Sequence, residues 1–125
     1  MVTGIEHIGI FSKDTERLKD WYIKLFDWKV AYDNGKGTYF LKARDGSMVE
    51  FVKTETDGGK HSDKASGIRH LALSVDDFDE TVKQLTEAGV EVLTEASVNA
   101  KGVGTMFFFD PDGNVLHLIS RPTAL

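Results

Sequence analysis

Four side chains in this chain have the types and spacing to do chemistry: His7, Glu50, His70 and His117. His7 lies in Gly4-Ile5-Glu6-His7-Ile8-Gly9-Ile10 and His70 in Gly67-Ile68-Arg69-His70-Leu71-Ala72-Leu73, both reading Gly-Ile-charged-His and then aliphatic, small, aliphatic. Glu50 and His117 occupy matched places in a second pair of similar stretches, residues 38–52 and 105–119. Three imidazoles and a carboxylate are the donors of a Zn, Ni, Co, Mn or Fe(II) site rather than a Ca or Mg site. The competing readings are ordinary: a lone strand histidine is usually a satisfied structural residue, and a lone strand carboxylate is usually exposed. Repetition at matched positions favours the ligand reading, as does the placement of Glu50 among Met48, Val49, Phe51 and Val52. A carboxylate among apolar neighbours needs a compensating positive charge. Glu50 and His117 are also the candidates for moving a proton. The chain has no cysteine, so a thiolate site and a disulfide framework are both excluded. His61 lies in a polar stretch and reads as an exposed loop histidine.

The elements that must carry these residues follow from periodicity. Residues 5–11 alternate as a strand, which puts Ile8, Ile10 and Glu6 on one face and Ile5, His7, Gly9 and Phe11 on the other. Asp14 or Ser12 can cap a helix whose apolar stripe is Leu18, Trp21, Tyr22, Leu25 and Phe26, ending at Asp27. Strands are expected over 28–32, 38–43 and 47–53, joined by turns at Asn34-Gly35 and Asp45-Gly46. Residues 54–66 are polar and aperiodic, a linker. The second half repeats the order. A strand over 68–75 precedes a helix with an Asp77-x-x-Glu80 capping box, the stripe Phe78, Val82, Leu85 and Ala88, and a stop at Gly89. A short strand is expected over 90–93, a loop over 94–104, a strand over 105–109, a turn over 110–114 and a closing strand over 115–120. Three successive phenylalanines, Phe107 to Phe109, suggest a strand buried on both faces.

The fold class is therefore α+β: two βαβββ modules, residues 1–53 and 67–121, within one domain of 125 residues. The spacing between Glu50 and His117 exceeds that between His7 and His70 by four residues, which one longer loop absorbs. Related halves imply a pseudo-twofold axis. Ile8, Ile10, Leu71 and Leu73 would lie under the helices, and the opposite face, carrying the four polar residues, would form a cup. The net charge of −5 argues against nucleic acid or anionic membrane as partner. No apolar run is long enough to span a bilayer and no signal-peptide pattern opens the chain, so a cytoplasmic location is the default expectation.

These motifs, with Trp21-Tyr22-x-x-Leu25-Phe26-x-Trp28-x-Val30 and Phe109-Asp110-Pro111-Asp112-Gly113-Asn114 leading to Leu116-His117-Leu118, resemble the vicinal oxygen chelate superfamily, the glyoxalase/bleomycin resistance/dioxygenase fold. The resemblance covers essentially the whole chain. It implies a curled mixed sheet around a divalent metal, helices on its outer face, and a homodimer. The ligand positions of the glyoxalase I branch fall on His7, Glu50, His70 and the position of His117, where that branch normally has glutamate. The implied activity is that of a metal-dependent lyase or isomerase, similar to lactoylglutathione lyase. Its substrate would be a small molecule chelating through vicinal oxygens, such as a methylglyoxal–thiol adduct. The alternatives are a bleomycin-type drug-binding resistance protein, its cup lined by Phe11, Tyr39, Phe40, Phe107 and Phe108, and an Fe(II) dioxygenase. In the dioxygenases and the fosfomycin-modifying members an acid occupies the place of His117, which counts against the oxygenase. Arg44, Arg69 and Arg121 are available for an anionic substrate, although surface solvation is the expected role of each.

Overall fold

The computed structural model describes residues 1–59 and 64–125, and the chain divides into two compact units, 1–59 and 60–125. His61 lies outside the described residues. Each unit is a βαβββ module, as the repeat implies.

In the first unit the order is β1 (His7–Ser12), α1 (Thr15–Phe26), β2 (Lys29–Asp33), β3 (Tyr39–Lys42) and β4 (Met48–Lys53), and the sheet order is β1-β4-β3-β2. β1 runs parallel to β4, and the other neighbours are antiparallel. Asp14 caps α1, its carboxylate accepting from the Arg17 backbone N–H at 3.1 Å. The helix stops where Asp27 turns left-handed (φ 54°) and its N–H bonds back to the Ile23 carbonyl. Leu18 and Tyr22 are fully buried, and α1 covers β1, β3 and β4. Tyr22 packs its ring 5.0 Å from Phe51 and also meets Trp21, Phe26 and Trp28. The register pairs Ile8 with Val49, Ile10 with Phe51, Leu41 with Val49 and Tyr39 with Phe51, so these residues share the helix-covered face.

The second unit contains β5 (Leu71–Ser74), α2 (Phe78–Glu87), β6 (Glu91–Val98), β7 (Gly104–Phe109) and β8 (Val115–Ser120) in the sheet order β5-β8-β7-β6, with β5 parallel to β8. Asp77 caps α2 by accepting from the Glu80 N–H, and Gly89 takes a positive φ just beyond it. Leu85, Met106, Phe108, Leu116 and Leu118 form the buried layer. Phe78 lies flat on Gly104, where an added Cβ would come within 2.9 Å of its ring.

The two modules place their final hairpins by the same turn. In the first, the Ala43 N–H bonds to the Ser47 carbonyl at 2.8 Å and the Gly46 N–H to the Ala43 carbonyl. In the second, Asp110 to Asn114 and Gly113 to Asp110 make the equivalent bonds at 3.0 Å. The second turn is clamped further by the buried Asp110 carboxylate, which accepts from the N–H groups of Asp112 and Asn114 and from the Asn114 side-chain amide at 2.8 Å.

Four expectations are corrected. The opening strand begins at His7 rather than residue 5, and its counterpart at Leu71 rather than 68; Ile5 and Ile68 are almost fully exposed and have nothing to pack against. The strand expected over 90–93 extends to Val98, taking in most of the segment read as a loop. Register shifts between Val92 and Thr94 and between Thr94 and Ser97 break the alternation that a strand would otherwise show. The phenylalanine run is buried on one face only: Phe108 is fully buried, whereas Phe107 and Phe109 are half-buried.

Gly104→Ala should lower stability by about 1–3 kcal/mol in urea denaturation, because the methyl must displace the Phe78 ring. Asp110→Ala should cost about 2–3 kcal/mol by stranding turn donors. Asp112→Ala, an exposed change in the same turn, should stay within about 0.5 kcal/mol of the native chain.

Candidate metal centre

The parallel pairing of first and last strand brings the candidate ligands together within each module. In the first, Gly9 lies opposite Glu50 and His7 precedes Gly9 by two residues, so all three share the face away from α1. A Cβ on Gly9 would touch Glu50 Oε1 at 3.5 Å, so the glycine leaves the carboxylate room beside the imidazole. His7 Nε2 is 3.6 Å from Glu50 Oε1, too long for a hydrogen bond. The other ring nitrogen, Nδ1, donates to Glu6 Oε1 at 3.1 Å. A carboxylate only accepts, so in the neutral ring the proton sits on Nδ1 and the bare lone pair of Nε2 faces the Glu50 oxygens. Two lone-pair donors facing one another with no proton between them suit a cation.

The second module repeats the geometry with different chemistry. Ala72 lies opposite His117, and His70 precedes Ala72 by two residues. The two imidazoles meet edge to face, with ring centroids 4.8 Å apart. Phe107, directly across the hairpin from His117, stacks on it at 4.1 Å with an interplanar angle of 8°, and meets His70 edge-on. Among the described residues, His70 Nδ1 and both ring nitrogens of His117 are shielded from solvent without a hydrogen-bond partner. An unmatched buried polar atom costs about 1–3 kcal/mol, and three in two neighbouring rings is far from the usual satisfaction of native interiors. The donor types of each module, His7 with Glu50 and His70 with His117, are those of a borderline divalent ion, and no group of three or more such side chains meets among the described residues.

Burial lowers the pKa of His70, and the Arg69 charge lowers it further. Burial likewise lowers that of His117, followed by the charges of His70, Arg69 and Arg121. Both rings are therefore held toward the neutral form that ligates.

The five aromatic candidates divide between the faces. Phe40 meets His7 at 5.0 Å, Phe107 stacks on His117, and Phe11 lies on the His7 face, 70% exposed. With Gly9, Ile10, Glu50 and Val52, Phe11 lines a depression of about 170 Å³. Tyr39 and Phe108 do not line the site. Tyr39 pairs with Phe51 on the helix side, where Lys19 Nζ sits 4.7 Å from its ring, and Phe108 belongs to the core. Glu6, read from alternation as facing away from His7, lies outside β1 and reaches the His7 ring instead. The signal available was a charged residue immediately before each histidine. Arg69, its counterpart, places its guanidinium 5.2 Å from the Phe107 ring centroid.

A histidine whose pKa is lower folded than unfolded binds fewer protons in the native state, so stability falls as pH drops through the ordinary value of about 6.5 and levels off below the depressed one. For chelator-treated protein the urea midpoint should therefore be lower at pH 5.5 than at pH 7.5. The paired substitution His70→Asn and His117→Gln should flatten that difference, and an unchanged slope would contradict the burial described.

A profile of the Glyoxalase/Bleomycin resistance protein/Dioxygenase superfamily matches residues 4–118. The chain is 32% identical over 127 residues to the uncharacterized protein YwkD of Bacillus subtilis (strain 168), covering 97% of this chain and 99% of that one. It is 23% identical over 121 residues to the fosfomycin resistance protein FosX of Listeria innocua, covering 94% and 90%. The crystal structure of lactoylglutathione lyase from Agrobacterium tumefaciens superposes with a TM-score of 0.72 at 16% identity, covering 95% and 94%. The chain, two βαβββ modules in succession, therefore belongs to the Glyoxalase/Bleomycin resistance protein/Dioxygenase superfamily.

Proposed function

We propose that this chain is a divalent-metal-dependent lyase or isomerase acting on a small substrate that chelates through two adjacent oxygens. The observation that supports it is the set of bare ring nitrogens: Nε2 of His7 facing Glu50, and the unpartnered nitrogens of His70 and His117. In this reading His7, Glu50, His70 and His117 are the metal ligands. A bound ion would supply Lewis acidity toward a substrate carbonyl. Glu6 fixes the His7 tautomer through the bond to Nδ1, the usual office of a carboxylate behind a ligating imidazole. Glu50 is the base. One of its oxygens takes the proton from the carbon bearing one substrate oxygen and returns it to the neighbouring carbon, a redox-neutral exchange of the kind a methylglyoxal–thiol adduct undergoes. Phe40 and Phe107, packed on His7 and His117, restrict rotation of the two rings. The acting form would be a homodimer, with a small molecule as its partner.

A second reading is favoured by the similarity to FosX: the same ligands could serve resistance to fosfomycin, a phosphonate-bearing epoxide. Expression in a fosfomycin-sensitive strain tests it, and unchanged sensitivity would remove it.

Protein purified without added metal should contain a stoichiometric divalent ion by elemental analysis, and chelation should lower its Tm. His7→Asn and Glu50→Gln should each weaken Zn or Ni affinity about 100-fold by calorimetry, whereas Glu6→Gln should weaken it about 10-fold. Native protein that neither contains nor binds such an ion would overturn the proposal and leave the small-molecule-binding alternative.

A further inference from the structure

The residues before the two histidines are matched in place and opposite in sign. Glu6 accepts a hydrogen bond from His7. Arg69 cannot do the same for His70, because a guanidinium has donors and no acceptor. It is committed elsewhere in the same cluster. Among the described residues its contact is the Phe107 ring, with Cζ 5.2 Å from the centroid, and that ring in turn stacks on His117 and meets His70. The stacking contact restricts the guanidinium while using none of its five N–H donors. A cation so placed, one residue from a ligand candidate, keeps its N–H donors beside the aromatic ring that packs on both imidazoles.

We propose that Arg69 is a specificity-determining residue, its guanidinium pairing with an oxyanion group, carboxylate or phosphonate, on a ligand bound against His70, His117 and Phe107. The chain then prefers acidic chelating molecules to neutral ones of similar size. This rests on the metal-chelation reading for its setting, but the Arg69 contribution is separable from the metal's.

Calorimetric titration with phosphonoformate, an anionic chelator, and with acetohydroxamic acid, a neutral one, tests the proposal on native protein, Arg69→Gln and Arg69→Lys, each with and without zinc. A charge-assisted bidentate contact is worth enough to change affinity about tenfold or more. Arg69→Gln should weaken phosphonoformate by that factor in both zinc-loaded and zinc-free protein. It should leave acetohydroxamic acid within about twofold, and Arg69→Lys should fall between. Ring-proton shifts of Phe107 on phosphonoformate addition should locate the contact, and unchanged far-ultraviolet circular dichroism should show that the variants fold. Phosphonoformate bound equally by native protein and Arg69→Gln, or not bound by native protein at all, would overturn the proposal. Should zinc fail to bind while the Arg69-dependent ratio persists in its absence, the metal reading falls and the anion site stands. Should zinc bind and the ratio be one, the reverse holds.

Discussion

The parallel pairing of the first strand with the last is the constraint on which each module depends. β1 and β4 are joined through a helix and two further strands, and so are β5 and β8, and that long connection is what a parallel pair requires. The pairing sets Gly9 opposite Glu50 and Ala72 opposite His117. Because side chains alternate with a period of two, a slip of one residue would send the ionisable groups under the helix and bring the apolar layer to the outside. Burial of Phe51 and Leu41 in one module, and of Leu116, Leu118 and Phe108 in the other, therefore holds the polar pairs in register at a distance. The glycine at position 9 helps: a Cβ there would already reach Glu50 Oε1 at 3.5 Å.

The two modules share this strand pairing and differ in the chemistry they place on it. The turns before the closing strands make the same backbone bonds, although the buried carboxylate of Asp110 clamps one and the exposed Asp45, bonded to the Ser47 N–H and hydroxyl, braces the other. Where the first module has Glu50 and Glu6, the second has His117 and Arg69. The first module thus offers an oriented imidazole and a carboxylate. The second offers two imidazoles, an aromatic plate and a guanidinium, a more positive surface with more unmatched donors.

Much of this was legible in the chain. Helix stripes, caps and stops are local: Asp14, Asp77, Asp27 and Gly89 act within one turn of where they stand, so their roles follow from neighbours in sequence. The repeat was legible for a similar reason, since matched residues at a near-constant offset need no coordinates to be seen. What failed was alternation near strand ends and bulges. β6 was shortened because two register shifts interrupt its period. Glu6 escapes the alternation because the strand begins one residue after it, and the parity rule does not extend into a loop.

By itself the sequence determined the modules, the candidate donors and their matched positions, because these depend on residue type and spacing alone. Tertiary structure decided which donors meet. It paired His7 with Glu50 and His70 with His117 through strand register, and it turned Phe40 and Phe107 onto the imidazoles while sending Tyr39 and Phe108 to the helix side. It also drew Glu6 and Arg69 to opposite tasks. The physical reason is that facing is a property of a pair of strands: it depends on which residue lies across the ladder, and one strand's letters do not carry that information.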